Sequence, residues 1–319
     1  MKIVIPGGSG QVGTLLARAF HKDGHDVAVL SRNPRPELPW RTVVWDGQSE
    51  EDWTRELEGT DAVINLAGRS VNCRYNLENR REIMASRIDS THAVGRAIAK
   101  ANRPPRVWLQ ASTATIYAHR YDAANDEFTG IVGGSEPDAP DTWRFSIDVA
   151  TSWERAMEDA GNLPRTRKVL MRSAITMSPD SGGAFDVLLG LVRHGLGGAS
   201  GNGRQYVSWI HEVDFIRAVY WLIEHETLSG PVNIASPNPL PNADFMRGLR
   251  EAWGIRAGLP AAEWMLEIGA VFLRTETELI LKSRRVVPGL LAQGGFKFEF
   301  PEWNVAARDL CSQWRERRK

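Results

Sequence analysis

A seven-residue stretch, GGSGQVG, lies between the apolar run KIVIP (Lys2–Pro6) and the segment TLLARAFHKDG. No other feature narrows the possible folds as far. The run before it has the length and composition of a buried parallel strand. After it, Val12, Leu15, Leu16, Ala19 and Phe20 fall on one helical face, and Gly24 closes the helix. Strand, tight turn and helix in this order open a βαβ unit. Gly7, Gly10 and Gly13 are spaced G-x-x-G-x-x-G. Such a turn leaves backbone N–H groups that no Cβ covers, and the helix N-terminus adds partial positive charge. Gly7, Gly8, Ser9, Gly10, Gln11, Val12 and Gly13 are therefore predicted to cradle the pyrophosphate of a dinucleotide. An ordinary βα turn that happens to use glycine is the competing reading.

The second strand, DVAVLSR, ends in Ser31 and Arg32. NAD-binding units place an Asp or Glu about 20 residues after the glycines, where it takes the ribose hydroxyls. An acid there would repel a 2′-phosphate. Arg32 can pair with one and Ser31 can donate to it, so the expected cofactor is NADP(H). The alternative is that Arg32 is a plain surface arginine.

Strands and helices then alternate. TVVWD (42–46) reads as a third strand, DAVINLAG (61–68) as a fourth and RVWLQAS (106–112) as a fifth. A long helix is expected over about 79–100, and the helix FSIDVATSWE precedes a sixth strand, RKVLMRSAIT (167–176). This is the rhythm of a doubly wound parallel sheet, an α/β fold that binds ligands outside the carboxyl ends of its strands. Ser31, Arg32, Asp46, Asn65, Gly68, Ser112, Thr113 and Arg172 stand at those ends. Beyond Thr176 comes a glycine-rich loop, LVRHGLGGASGNGRQY, that does not follow a strand directly. YVSWIH, a helix from Val213 to about His225 and GPVNIAS return to the main body. From Pro239 the chain reads as mostly helical, with one alternating run, FKFEFP. The expected division is a nucleotide-binding domain over 1–236, with a lobe insertion at about 178–206. A smaller, mostly helical lobe over 237–319 would cover the cleft.

With 39 basic and 39 acidic residues the chain has no net charge, which argues against a nucleic-acid surface. Its two cysteines, Cys73 and Cys311, suggest neither a disulfide framework nor a metal pair and fit a reducing, cytoplasmic setting. No run is long and apolar enough to suggest a signal peptide or a membrane span. His21 and His25 are four apart, but Gly24 separates them, so no metal is expected. The basic tail RERRK reads as the solvated end of a helix.

GGSGQVG, the NLAG after the fourth strand and STATIY after the fifth together resemble an extended short-chain dehydrogenase/reductase. NLAGRSVN, SRIDST (86–91), the pair Trp153–Glu154, GLGGASGNGRQYVSWIHEVD, NIASPNP and ELILKSRRVVPGLLAQGGFKFEFP are similar to its epimerase-family branch, over nearly the whole chain. The resemblance implies a Rossmann-type fold, a nicotinamide cofactor, frequent dimerisation and a Ser/Thr–Tyr–Lys catalytic group. In that group the Tyr of Y-x-x-x-K exchanges a proton with substrate, and the Lys lowers its pKa and holds the ribose. Thr113 matches the Ser/Thr position. Anchored on Glu154, the Tyr and Lys positions fall on Ser146 and Ala150. Alanine carries no charge, and serine has too high a pKa to be an ordinary proton donor. The epimerase-family branch generally lacks the pair as well.

Other residues are assigned by place. Leu66, Ala67 and Gly68, with Asp46, Arg87, Ser112 and Arg172, are expected to line the cofactor. Asn72, Tyr75 and His211 are expected near substrate, His211 with a structural hydrogen bond as its competing role. Asp214 is expected to stabilise a helix start. Thr113 and Tyr117 are the catalytic candidates, Tyr117 with packing against the nicotinamide as the alternative. The chain then reads either as an NADP(H)-dependent oxidoreductase or epimerase-like enzyme, or as a catalytically silent NADP(H)-binding sensor or scaffold. The substrate would be an unidentified small molecule.

Overall fold

The structure, a computed structural model, describes residues 1–137, 139–262 and 276–318. Seven strands form one parallel sheet: β1 (Lys2–Pro6), β2 (Asp26–Ser31), β3 (Arg41–Val44), β4 (Ala62–Asn65), β5 (Val107–Thr113), β6 (Arg167–Ser173) and β10 (Gly230–Ile234). Their order is β3-β2-β1-β4-β5-β6-β10. The chain runs outward from β1 in one direction and restarts at β4 in the other, so the crevice between β1 and β4 is the switch point of a doubly wound sheet. Period-two side chains divide the core. Ile3 and Ile5 face a layer built by Leu16 and Phe20 of α1 (Gln11–Lys22) and Phe215 and Leu222 of α5 (Glu212–Glu224). Val4 and Leu30 face the opposite layer, where Val94 and Ile98 of α2 (Leu77–Lys100) pack with Met157 of α3 (Asp141–Glu158). This is the Rossmann-type architecture that the strand–helix rhythm implied.

A third core gathers around Phe185 and Leu189 of α4 (Ala184–Arg193), Phe245 and Leu249 of α6 (Asn242–Trp253), and Trp303, Leu310 and Trp314 of the last helix (Trp303–Glu316). Phe245 stacks on Trp303 at 3.9 Å. The segment just before the last helix goes elsewhere: Leu291 and Phe296 pack on the main sheet beside Phe215.

Two local expectations differ from the structure. The third strand stops at Val44 and leaves Asp46 in a turn. The sixth is two strands, because after Ser173 the chain leaves the large sheet and Ile175–Met177 (β7) pairs with Trp209–His211 (β9). In the alternating run FKFEFP, the Asp214 carboxylate accepts from the amides of Glu299 and Phe300, both at 2.8 Å, and the run forms no strand. The basic tail is the exposed end of the last helix, as read from the sequence, and Arg317 bonds to Glu212 at 3.0 Å and Arg318 to Asp186 at 2.8 Å. No helix among the described residues is long and apolar enough to cross a membrane.

Candidate functional site

The carboxyl ends of β1, β2 and β4 open into a cleft of about 650 Å³. Its walls include Gly7, Ser9, Gly10, Ser31, Arg32 and Asp46, together with Leu66, Ala67 and Gly68 after β4. Nine of the residues expected at the cofactor therefore meet in one place.

The glycines have separate reasons. Gly7 has φ +73°, and a Cβ there would lie 2.4 Å from the Ala67 backbone. Gly13 lets α1 approach the loop, because a Cβ would lie 2.4 Å from Gly8 Cα. Gly10 has neither reason. Its φ is −74°, and the nearest atom to a Cβ would be 4.0 Å away. Gly10 is also the N-cap of α1, whose first turn has no side-chain cap and no acidic residue. The positive end of the helix is thus left bare, and the one residue that could cover it has no side chain.

At the end of β2, Ser31 Oγ donates to Ser9 Oγ at 3.0 Å and ties the strand to the loop. Arg32 is exposed on the cleft wall and has no ion pair among the described residues. Asp46 is committed to its own turn and accepts from the amides of Gln48 and Ser49, both at 2.8 Å. Partial burial opposes its charge, but those amides hold its pKa below the usual carboxylate range. On the facing wall, Glu82, Ala85, Ser86 and Asp89 share one side of α2.

Arg87 lies behind this wall. A Cβ on Gly68 would sit 3.2 Å from its guanidinium carbon. Its Nη1 donates to the carbonyls of Arg69 and Ile83 at 3.0 and 2.9 Å, and the group stacks over Trp153 at 4.9 Å. Among the described residues no carboxylate pairs with it, and burial pulls its pKa down to about 10.

Ser112, Tyr117 and Arg172 do not face the cleft. Arg172 makes a two-pronged bond to Glu154, at 2.8 and 2.7 Å, and Ser112 Oγ donates to the same carboxylate at 2.6 Å. Arg172 also donates to the Tyr117 hydroxyl at 3.0 Å, which in turn donates to Asn233 at 2.9 Å. Tyr117 is 2% exposed, and its burial raises the phenol pKa. These three form a buried polar girder rather than a cofactor wall. His211 is buried as well: Nδ1 accepts from Val213 N at the start of α5, Nε2 meets Asp309 at 3.1 Å, and the ring stacks on Phe300. Asn72 is exposed, with its amide bonded to Ser70 at 3.2 Å. Thr113 Oγ1 accepts from Thr115 N at 3.2 Å, capping a short turn.

A chain segment more than a hundred residues further on fills the place where the helix pair would stand. Ser146 Oγ donates to Glu278, which is buried and held by Arg284 at 3.2 Å. Tyr75 is buried, and burial pushes its phenol pKa up to about 12, with the Glu278 charge acting in the same direction. Lys282 Nζ donates to Thr115 O at 2.7 Å, and burial draws its pKa down to about 8. Ala150 is fully buried. Neither Glu278, Lys282 nor Arg284 was singled out from the sequence, where no periodicity or spacing sets them apart.

The model of the NAD dependent epimerase/dehydratase family matches residues 3–135, and that of a domain of unknown function, DUF1731, matches residues 261–310. Epimerase family protein SDR39U1 of Bos taurus is 31% identical over 316 residues, which span 98% of this chain and 100% of the bovine one. The chain belongs to the epimerase family. Another member, YfhF of Bacillus subtilis, is 29% identical over 318 residues, 98% of each chain. The crystal structure of human epimerase family protein SDR39U1 (isoform 2) with NADPH superimposes with a TM-score of 0.83 at 30% identity, covering 98% of this chain and 99% of that one. Membership in the epimerase family accounts for the glycine loop and the sheet order, and the DUF1731 match contains Glu278, Lys282 and Arg284.

Proposed function

We propose that the chain is an NADP(H)-dependent oxidoreductase or epimerase-like enzyme of the epimerase family, acting on a small molecule. The observation that carries the cofactor choice is Arg32, an exposed guanidinium on the cleft wall beside Ser31 at the end of β2 that has no ion pair among the described residues. The NADPH in the human relative's crystal structure supports it. In this reading the Gly7–Gly13 loop and the bare end of α1 hold the pyrophosphate. Ser31 and Arg32 hold the 2′-phosphate, and Asp46 and Leu66–Gly68 wall the adenosine half. Arg87 stiffens the Gly68 turn from behind with a charge that no carboxylate among the described residues pairs. The nicotinamide, when bound, supplies hydride transfer. The chain's own part in proton handling then falls to Tyr75, a buried phenol under the electrostatic influence of the Glu278 carboxylate that Ser146 holds. Tyr117 is locked to Arg172 and Asn233 and serves as scaffold.

Wild-type protein should bind NADPH about ten- to hundredfold more tightly than NADH, because a charge-assisted phosphate contact is worth about 1.5–3 kcal/mol. Arg32→Ala should erase the difference. Calorimetric titration of both cofactors decides it, and equal wild-type affinities would remove the case for NADP(H).

A silent sensor or scaffold is the second reading, and Ser146 and Ala150 at the helix positions favour it. A screen of carbonyls, enones and imines with NADPH oxidation as readout separates the two. For an enzyme, Tyr75→Phe should lower turnover by about 10²–10⁴-fold. Tyr117→Phe should mainly lower stability. Tight NADPH binding with no turnover on any of these classes would favour the sensor.

A further inference from the structure

A second cavity, of about 720 Å³, shares no lining residue with the cofactor cleft. His119 and Trp143, from the stretch that leads from β5 into α3, line it together with Asn202 and Gln205 of the glycine-rich loop and Leu281. The His119 ring is fixed at one edge, where Nδ1 accepts from the Ser283 amide at 2.8 Å. A backbone N–H only donates, so Nδ1 carries no proton and the ring proton sits on Nε2. Burial and the nearby Lys282 charge lower the His119 pKa, which favours this neutral ring. The Nε2–H has no acceptor among the described residues. It is not sealed in: His119 is only half-buried, and Nε2 is not among the enclosed polar atoms that lack a partner. A donor held in a fixed direction therefore stands on the wall of an open cavity with no protein group to receive it.

Around that donor the wall is made of rings. Trp143 lies 4.7 Å from the His119 ring, tilted by 39°, and Tyr121 meets it edge-on at 5.0 Å. Pro137 and Pro140 extend the apolar surface. Such a wall takes another ring by stacking or by edge contact. The charges on it are already answered. Partial burial opposes the charge on Glu136, but the amides of Gly134 and His119 hold its pKa below the usual carboxylate range. Arg74 pairs with Glu276 at 3.2 Å. The wall therefore shows an ionised Glu136 and, among its described residues, no cation left over for an anionic ligand.

We propose that this cavity binds an uncharged, ring-bearing carbonyl compound, whose oxygen accepts from His119 Nε2–H and whose ring lies against Trp143 and Tyr121. Glu276, on the same wall, accepts from the Tyr75 amide at 2.7 Å, which joins the cavity to the loop that carries the phenol assigned to proton handling. That the ligand is a substrate rests on the enzyme reading; that it binds does not.

The test titrates the full chain with matched probes, methyl naphthyl ketone, ethylnaphthalene and naphthoate, and follows the histidine and tryptophan ring N–H signals by NMR. Wild-type protein should bind the ketone about three- to tenfold more tightly than the hydrocarbon, and naphthoate the least tightly of all. The His119 Nε2–H signal should respond to the ketone. His119→Asn keeps an acceptor for the Ser283 amide and removes the Nε2–H, so the ketone and the hydrocarbon should then bind within about twofold of each other. Trp143→Ala should weaken both by about fivefold or more. Equal affinity of wild type for the ketone and the hydrocarbon would overturn the proposal. So would a preference for naphthoate, a ketone preference that survives in His119→Asn, or no binding of any probe. NADPH titration of the same samples keeps the two readings apart: tight NADPH binding beside a failed probe set removes only the second cavity, and probe binding without NADPH affinity removes only the cofactor assignment.

Discussion

Gly10→Val is expected to weaken NADPH binding by on the order of 100-fold or more while the chain stays folded. The substituted side chain meets no protein atom closer than 4.0 Å at its Cβ, so the fold does not resist it. Its methyls would instead stand over the amides of Gln11 and Val12, which have no side-chain cap of their own. Two or three charge-assisted bonds at about 1.5–3 kcal/mol each are at stake, which exceeds the roughly 2.7 kcal/mol that corresponds to a hundredfold. The loss of glycine at the N-cap costs the helix at most about 1 kcal/mol. Gly13→Val would be a poor substitute test, since its Cβ would strike the Gly8 backbone at 2.4 Å and any loss of binding would reflect a broken loop. Fluorescence titration with NADPH, beside circular dichroism of the same sample, measures both halves of the expectation. A folded variant with wild-type affinity would place the nucleotide outside this cleft.

The contrast between Gly10 and Gly13 shows what a sequence can convey. The strand, the glycine loop and the helix are local signals, set by periodicity and by the conformations glycine permits, and they lie where they were expected. The sheet order follows from alternation of strands and helices together with right-handed crossovers. The stripe Glu82, Ala85, Ser86 and Asp89 was also legible in principle, because three- and four-residue spacing puts all four on one side of α2. The rest of the site depends on distant partners. Ser146 meets Glu278 across 132 positions, and Asp214 reaches Glu299 across 85. No pattern near FKFEFP announces that a carboxylate from another helix will take its amides in place of a neighbouring strand. The break at Ala174 is hidden for the same reason: its amide bonds to Ile234 O, and the next residues turn to β9. Tyr117 looked available because it follows β5 and Thr113. Its hydroxyl is occupied by groups from β6 and β10 that adjoin it only in the folded sheet.

That girder sets the largest expected stability change. Arg172→Met should cost about 3–5 kcal/mol, because it leaves the Glu154 carboxylate buried without its cation. The two side chains are only 11% and 10% exposed, so water cannot readily take over. Ser112 continues to donate to Glu154, but one hydroxyl does not replace a two-pronged guanidinium. The Glu154→Met, Arg172→Met double variant should recover much of the loss, since an apolar pair of similar volume carries no desolvation penalty. The recovery should fall short by about 1 kcal/mol for each hydroxyl, on Ser112 and Tyr117, that loses a partner. Urea unfolding of the three proteins, read as a change in midpoint at constant slope, gives the values. A single variant within about 1 kcal/mol of wild type would mean that Glu154 finds another cation or reaches solvent, and the network would lose its standing as scaffold. The same samples bear on function. If the girder only positions β5 and β6, the double variant should bind NADPH with wild-type affinity below its unfolding transition. A double variant that folds but binds NADPH weakly would show that Arg172 reaches the cofactor after all.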